Sequence, residues 1–318
     1  MRCIHCGCAD AQDSIETGEE LNVQHINKMV HDPLLRDLNV IVISGGEPFL
    51  KKDLNDILLV FQKKYKPYRF HITSNGLLSE IISESLAFYL RHNMKIDLKI
   101  SIDGTAEIHN HMRQTPGAFK SAVNTIEKLR SRYSRKQLYL AINHTLTNEN
   151  YLCIEDMCKL AQDLDVDYRC FIALEKRPLY SNTRPIDYHV VKLTHTAKAA
   201  IVHQLDHLYL NTNWMKPSRD TLEKLVFRQY IGGQLKLLKN IRPHHRCMNL
   251  FTHFRLNPNG DIIPCSYDTK VLGNIKNETY SNVMAKQITK EKLRTIKKCG
   301  KCWLGCEVAP NWISSLGR

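Results

Sequence analysis

The sequence of 318 residues lacks any long apolar run. A membrane-spanning helix needs roughly 20 consecutive apolar residues, whereas the clearest apolar stretch here is Val40-Ile41-Val42-Ile43. The chain opens Met1-Arg2-Cys3-Ile4, without the apolar segment of a secretory signal. These absences predict a soluble, cytoplasmic protein that does not enter a membrane.

Glycine and proline are also scarce, at 14 and 11 residues, while 43% of the residues are hydrophobic and 24% are charged. This composition excludes collagen-like, coiled-coil and disordered chains. Lysine and arginine outnumber the acidic residues 45 to 32, a net charge of +13. The basic runs fall on or just after predicted helices, where such side chains form a solvated face. A nucleic-acid partner is therefore the weaker interpretation of the charge.

A disulfide framework is not indicated either, because the 11 cysteines are odd in number and bunch at the two ends of the chain. In a chain without an export signal this grouping indicates metal or cluster ligation. Between the groups, Cys153, Cys158 and Cys170 fall on core-like positions and are interpreted as buried hydrophobes. The histidines are interpreted mainly as surface residues.

Alternating strand and helix patterns fill the first half of the chain. The predicted strands are 39–44, 68–73, 96–102, 138–145 and 167–172, and the predicted helices are 53–64, 79–92, 117–133 and 149–164. This alternation predicts right-handed βαβ units in an α/β fold with a parallel sheet, as an open sheet or a partial barrel. Ligands of such sheets collect at the carboxyl ends of the strands.

The pattern changes after Pro178. Helices are predicted over 188–210, 219–240 and 281–298, with a hairpin of strands 254–257 and 261–264 around the turn Pro258-Asn259-Gly260. The predicted domains are a barrel over 1–175, a helical connecting region over 176–245 and a small α+β cluster domain over 246–318.

Three motifs follow predicted strands, namely Ser44-Gly45-Gly46-Glu47-Pro48, Thr73-Ser74-Asn75-Gly76 and Ser101-Ile102-Asp103-Gly104. Each alone could be a mere turn. Together with Cys3-x2-Cys6 they resemble the radical S-adenosylmethionine (radical SAM) superfamily. That resemblance implies a partial (βα)6 TIM-like barrel, with a [4Fe-4S] cluster on a Cys-x3-Cys-x2-Cys loop after its first strand.

The resemblance also implies a cofactor site. Cys3 and Cys6 match the second and third cysteines of the cluster loop. Glu47, in Gly45-Gly46-Glu47, would hold the amino group of SAM, and Asn75 joins the cofactor-binding set. Ser101 and Asp103 would meet the ribose, and Arg113 would pair with the carboxylate. The alternative for Arg113 is a cation on a surface loop.

The sequence departs from the family pattern at its start. The first cysteine of the loop should lie four residues before Cys3, upstream of Met1, and the first barrel strand would precede it. We expect the natural product to begin roughly ten to twenty residues earlier, enough for one strand and its lead-in. Cys8 could substitute in principle, but Cys6-x-Cys8 is too tight for the family's loop.

The C-terminal cysteines form a second constellation. Cys247, Gly260 and Cys265 match the Cys-x9–15-Gly-x4-Cys signature of SPASM and Twitch auxiliary-cluster domains, and Cys299, Cys302 and Cys306 follow. Since five cysteines are present where the full SPASM pattern has seven, one auxiliary [4Fe-4S] cluster is expected. A structural zinc site is the alternative, because four thiolates on hairpins also bind zinc.

The resemblance implies reductive cleavage of SAM to a 5′-deoxyadenosyl radical, which abstracts hydrogen from a substrate. The substrate would be a peptide or a small molecule, in peptide or protein maturation or in cofactor biosynthesis, with flavodoxin or ferredoxin as electron donor. The alternative is a non-catalytic scaffold that holds only the auxiliary cluster.

Overall fold

A five-stranded parallel sheet forms the first half of the molecule. The computed structural model describes residues 1–6, 20–173, 188–210, 221–241, 243, 247–299 and 303. The strands are β1 (Val40–Ile43), β2 (Arg69–Ser74), β3 (Ile96–Ser101), β4 (Tyr139–Leu146) and β5 (Asp167–Ile172). They lie side by side in chain order. The predicted α/β class and parallel sheet are therefore confirmed.

Six α-helices accompany these strands in the part of the chain that the structure describes. They are α1 (Val23–Met29), α2 (Leu54–Tyr65), α3 (Ser79–Arg91), α4 (Ala106–Arg113), α5 (Ala118–Arg132) and α6 (Ile154–Asp163). The sequence pattern did not predict α1 and α4. Helix α4 buries only His109, Met112 and Arg113, so it carries too few apolar residues to show a helical period.

The two faces of the sheet differ in chemistry. Phe70, Ile72, Leu98 and Ile100 alternate along β2 and β3 and are fully buried in the core. The opposite face carries Asp97, which pairs in register with His71. Because successive side chains of a strand point to opposite faces, the apolar set packs in the core while the polar set lines the other side.

Strand β1 lies at an edge of the sheet. Within the described parts of the chain it pairs only with β2, and its Val42 side chain is 61% exposed.

In its described residues, the second half contains three helices, then a small antiparallel sheet and two further helices. The helices are α7 (Tyr188–Val191), α8 (His195–Leu210) and α9 (Thr221–Leu238), and the sheet consists of β6 (Arg255–Leu256), β7 (Asp261–Ile263) and β8 (Gly273–Asn274). Helices α10 (Tyr280–Ala285) and α11 (Gln287–Ile296) follow. None of the described helices is long and apolar enough to cross a membrane.

Two of the predicted helices are interrupted. The pattern over 188–210 breaks before α8, where the Thr194 hydroxyl accepts a hydrogen bond from the Ala197 N–H. The pattern over 281–298 breaks at Lys286, whose backbone is extended (φ −61°, ψ 147°). The predicted boundary near residue 175 lies outside the described residues, and the domain limits stay predictions.

Candidate functional site

Cys3 lies next to the C-terminal end of α4. The Ile4 N–H donates to the Met112 carbonyl at 3.0 Å, and the Cys6 N–H donates to the Cys3 carbonyl at 3.1 Å. Burial raises the pKa of the Cys3 thiol, while the Arg113 charge opposes that rise. A thiolate at Cys3 therefore depends on a positive neighbour such as this guanidinium or a bound metal.

The Glu47 carboxylate is held by three donors at the carboxyl ends of β1 and β2. It accepts hydrogen bonds from the Asn75 N–H at 2.7 Å, the Ser74 hydroxyl at 2.9 Å and the Phe49 N–H at 3.3 Å. Burial raises the pKa of Glu47, and these hydrogen bonds work against the rise. Because a carboxylate has roughly four lone-pair positions, Glu47 keeps acceptor capacity for an ammonium group.

Asp103 and Arg113 form a buried ion pair. Arg113 Nη2 lies 2.6 Å from Asp103 Oδ2, and Arg113 Nη1 lies 3.7 Å from Cys3 Sγ. Burial would raise the pKa of Asp103, but Arg113 and nearby histidines lower it to about 2. Arg113 is 8% exposed at the end of α4, so its interpretation as a surface-loop cation is wrong.

A buried amide that the motifs did not indicate connects Asp103 to β4. Asn150 Nδ2 donates to the carbonyls of Asp103 and Thr145, both at 2.8 Å. Its Oδ1 accepts from the Thr147 N–H at 2.7 Å. Asn150 thus fixes the segment after β3 against the end of β4. The Thr- and Asn-rich run after β4 was the available signal, since such residues bond to nearby backbone.

Two histidines near Asp103 are buried, which corrects their interpretation as surface residues. His109 Nδ1 accepts a hydrogen bond from the Asp103 N–H at 3.0 Å. His144 Nδ1 lies 2.9 Å from the Tyr168 hydroxyl. Burial lowers the pKa of each imidazole to about 4. Both rings are therefore neutral at pH 7.

The remaining cofactor candidates lie at the same edge of the sheet. Gly45 and Gly46 are exposed directly before Glu47. Asn75 is half-buried, and its side-chain oxygen accepts from the Leu77 N–H at 2.8 Å. Ser101 is buried at the end of β3, in register with Asn143 of β4. The structure thus gathers the three motifs around one end of the sheet, whereas the role of each residue toward SAM stays a prediction.

Three of the five C-terminal cysteines belong to the described residues. The Cys247 N–H donates to the Cys299 carbonyl at 3.3 Å. Asn249 contacts Cys247 Sγ at 3.3 Å and donates to the carbonyl of Pro264, the residue before Cys265, at 3.1 Å.

The predicted turn between the first two of these cysteines is also present. Gly260 joins β6 to β7 with φ +96°, a conformation that favours glycine. Cys302 and Cys306, like Cys8, lie outside the described residues. In the described part of the chain, no three His, Cys, Asp or Glu side chains are gathered for a metal ion.

Cys153, Cys158 and Cys170 are 3%, 7% and 1% exposed. Burial raises the pKa of all three thiols. Their interpretation as buried hydrophobes is confirmed.

Comparison of the sequence with known protein families identifies the family of this chain. The profile of the Radical SAM superfamily matches residues 1–161. The chain belongs to the radical SAM superfamily. A SPASM profile, described as an iron-sulfur cluster-binding domain, matches residues 247–306. The family implies a [4Fe-4S] cluster that acts with SAM, and the SPASM domain implies auxiliary iron-sulfur clusters.

Two characterised relatives illustrate the range of the family. The antilisterial bacteriocin subtilosin biosynthesis protein AlbA of Bacillus subtilis is 23% identical over 296 residues, covering 89% of this chain and 56% of AlbA. This chain therefore spans little more than half of AlbA. The AdoMet-dependent heme synthase of Methanosarcina barkeri is 23% identical over 320 residues, covering 95% of this chain and 84% of that protein.

A solved structure shares the fold. Native anSMEcpe with bound AdoMet and Kp18Cys peptide superposes with a TM-score of 0.64 at 18% identity, covering 95% of this chain and 82% of that one.

The donor chemistry of this chain fits the implied groups in part. The Cys3 thiol lies beside the buried Arg113, with Cys6 three residues further on. At the other end of the chain, Cys247 is joined to Cys299 by a backbone hydrogen bond and, through Asn249, to the residue before Cys265. Thiolates are the ligands that iron-sulfur clusters take. The third thiolate of the barrel cluster is not among the described residues.

Proposed function

We propose that this protein is a radical SAM maturase that cleaves SAM reductively and modifies a peptide. The observation that carries the first part is the juxtaposition of Cys3, Arg113 and Asp103, with Glu47 at the same end of the sheet. SAM carries an amino group, a carboxylate and a ribose. A carboxylate such as Glu47, a cation such as Arg113 and an acceptor such as Asp103 are the residue types that would bind these three groups. When bound, the reduced cluster supplies the electron that breaks the C5′–S bond of SAM, which yields methionine and a 5′-deoxyadenosyl radical.

The protein residues would orient SAM. Glu47 accepts from the SAM ammonium with its remaining acceptor capacity, because its other lone pairs are fixed by Ser74, Asn75 and Phe49. Arg113 presents positive charge between Cys3 and Asp103, where the SAM carboxylate would be neutralised. Ser101, the last residue of β3, and Asp103, two residues further on, would bind the ribose hydroxyls. Preorganised groups of this kind supply the orientation on which cofactor chemistry depends.

A peptide is the proposed substrate because AlbA acts in bacteriocin biosynthesis and anSMEcpe is solved with a bound peptide. A tetrapyrrole is the second candidate, favoured by the similarity to the heme synthase over 84% of its length. The scaffold alternative has less support, since a non-catalytic protein has no need of the Glu47 and Asp103–Arg113 arrangement.

The test is anaerobic reconstitution followed by reduction with dithionite in the presence of SAM. The family loop has a cysteine four residues before Cys3. The 318-residue chain is therefore assayed beside a longer chain, translated from the gene with the codons that precede Met1. About eight irons and formation of 5′-deoxyadenosine support the enzyme, since two four-iron clusters are expected. About four irons without cleavage in both chains would establish the scaffold.

Once SAM cleavage has been established, candidate substrates are tested. Peptides encoded by neighbouring genes and an iron-coproporphyrin are offered separately, and products are identified by mass spectrometry. A mass change in a peptide supports the proposed substrate class. A change confined to the porphyrin would refute it.

A further inference from the structure

Trp303 packs against a glycine in the middle of helix α9. Its side chain is 5% exposed. A Cβ atom built on Gly233 would lie 1.8 Å from Cε2 and 2.1 Å from Cζ2 of the Trp303 indole. Every residue other than glycine would therefore displace the indole. Glycine is a poor helix former, and this close approach explains its presence within α9.

Hydrogen bonds fix both polar ends of Trp303 to the same helix. Its Nε1–H donates to the Tyr230 carbonyl at 2.8 Å. The Gln234 amide donates to the Trp303 carbonyl at 2.8 Å and to the Tyr230 hydroxyl at 2.7 Å. Tyr230 and Gln234 are 4% and 6% exposed. The indole, its N–H and its backbone carbonyl are thus all held in one buried place.

Helix α9 is in turn packed against the last strand of the barrel sheet. The Tyr230 ring lies 5.4 Å from the Phe171 ring of β5. Phe227 lies one turn before Tyr230 on α9, and the centre of its ring is 4.5 Å from the Arg169 guanidinium of β5. Residues of α9 therefore contact both β5 and Trp303.

Trp303 follows Cys302 directly and comes four residues after Cys299. Cys299 is itself bonded through its carbonyl to the Cys247 N–H. Because Cys299 lies only four residues before Trp303 in the chain, whatever fixes Trp303 also restrains Cys299 and its contact with Cys247.

We propose that Trp303, seated in the notch at Gly233, is a positioning residue that holds Cys299, four residues earlier, and through it Cys247 in the geometry that retains the auxiliary cluster. Through Tyr230 and Phe171, Trp303 also fixes Cys299 relative to the sheet of the first half. The inference rests on the auxiliary cluster that the proposed function includes.

The experiment uses the full chain with Cys3→Ala and Cys6→Ala, so that only an auxiliary cluster is loaded and SAM chemistry plays no part. The variants are Gly233→Ala, Trp303→Leu and the double variant. Iron loss to a chelator is followed by the visible absorbance of the cluster, and global unfolding is followed by far-UV circular dichroism under the same conditions.

Gly233→Ala is expected to accelerate iron loss by about tenfold or more, the range seen when residues that orient metal ligands are changed. Trp303→Leu is expected to do the same. The double variant should lose iron no faster than Trp303→Leu alone, because the alanine then meets no indole. Such coupling is what a double-mutant cycle measures for residues in contact.

Several results would overturn the proposal. Wild-type rates of iron loss in Gly233→Ala would do so, as would rate increases that simply multiply in the double variant. Iron loss that coincides with global unfolding in every variant would reduce Trp303 to a packing residue. If Gly233→Ala fails to fold, Gln234→Leu keeps the notch and removes both hydrogen bonds, and the same acceleration is expected of it.

The parent chain separates this proposal from the proposed function. A parent that holds no iron would refute both the auxiliary cluster and its positioning residue. A parent that holds iron and variants that hold it equally well would refute the positioning role alone.

Discussion

Arg113 Nη2 lies 2.6 Å from Asp103 Oδ2, where helix α4 ends beside the segment that follows β3. Both side chains are buried, and the Asp103 carboxylate also accepts from the Thr145 N–H at 3.1 Å. The pair therefore joins three elements around Cys3. Each of the two side chains therefore fixes the position of the other.

Replacement of Arg113 by Met should leave Asp103 as a buried, unpaired charge. The expected loss is about 3–5 kcal/mol in the free energy of unfolding, measured in urea. Asp103→Asn combined with Arg113→Met should recover part of that loss. The control is Arg36→Met, which removes an exposed pair with Asp37 and should cost no more than about 1 kcal/mol. Equal losses for Arg113→Met and Arg36→Met would contradict the buried pair.

Glu47→Gln removes the negative charge but keeps the size of the side chain. An ionic hydrogen bond is worth about 1.5–3 kcal/mol, so SAM affinity of the reconstituted protein should fall by about 10- to 150-fold. One of the three donors to Glu47 also loses its acceptor. Equilibrium dialysis with labelled SAM measures the affinity, and Glu84→Gln on the exposed face of α3 is the matched control. Unchanged binding by the Glu47 variant would remove this residue from the SAM site.

The strands and the three motifs could be predicted because the spacing of apolar residues and the presence of turn residues are local features of the sequence. Glu47, Asn75 and Asp103 follow from where a parallel sheet ends its strands. The partner of Arg113 could not be predicted, since α4 has only a few buried residues to mark it as a helix. Asn150 and Trp303 were missed as contacts because their partners lie 47 and 73 residues away in the chain. Such contacts depend on the assembled fold.

Asn150→Asp should disturb the Asp103 segment more than Asn150→Ala does. The aspartate would place a carboxylate oxygen against the carbonyls of Asp103 and Thr145, which now accept from the amide. An uncompensated buried polar group costs about 1–3 kcal/mol, and more when it is charged. The midpoint temperature of thermal unfolding and the affinity for SAM should both fall in the order wild type, Asn150→Ala, Asn150→Asp. A reversed order would show that the amide does not hold this segment.

His144 should make stability depend on pH in the acidic range. Its pKa is lowered from 6.5 to about 4 by burial, so the unfolded chain binds the proton first as pH falls. The stability contributed by the neutral ring is complete above the unfolded pKa and declines as pH falls from 6.5 toward 4. His109 behaves in the same way.

Each such histidine contributes up to about 1.4 kcal/mol per pH unit within that window. Unfolding in urea at pH 5.0, 6.0 and 7.5 measures the slope for wild type and for His144→Asn. In the variant, the slope of the free energy of unfolding against pH should be smaller by the contribution of one histidine. The contribution of His109 should remain. Identical slopes in the two proteins would show that His144 titrates normally in the folded state.

The cysteines should separate into two classes by their effect on iron content. Cys158 and Cys170 lie in the core with raised thiol pKa values, so their replacement by Ala should leave the iron content unchanged. Loss of a small buried side chain should still lower stability, by about 1 kcal/mol. Replacement of Cys247 or Cys265 by Ala should instead remove about four irons per chain, one four-iron cluster. Iron per protein after anaerobic reconstitution measures both classes, and iron loss in Cys158→Ala without unfolding would place that residue among the ligands.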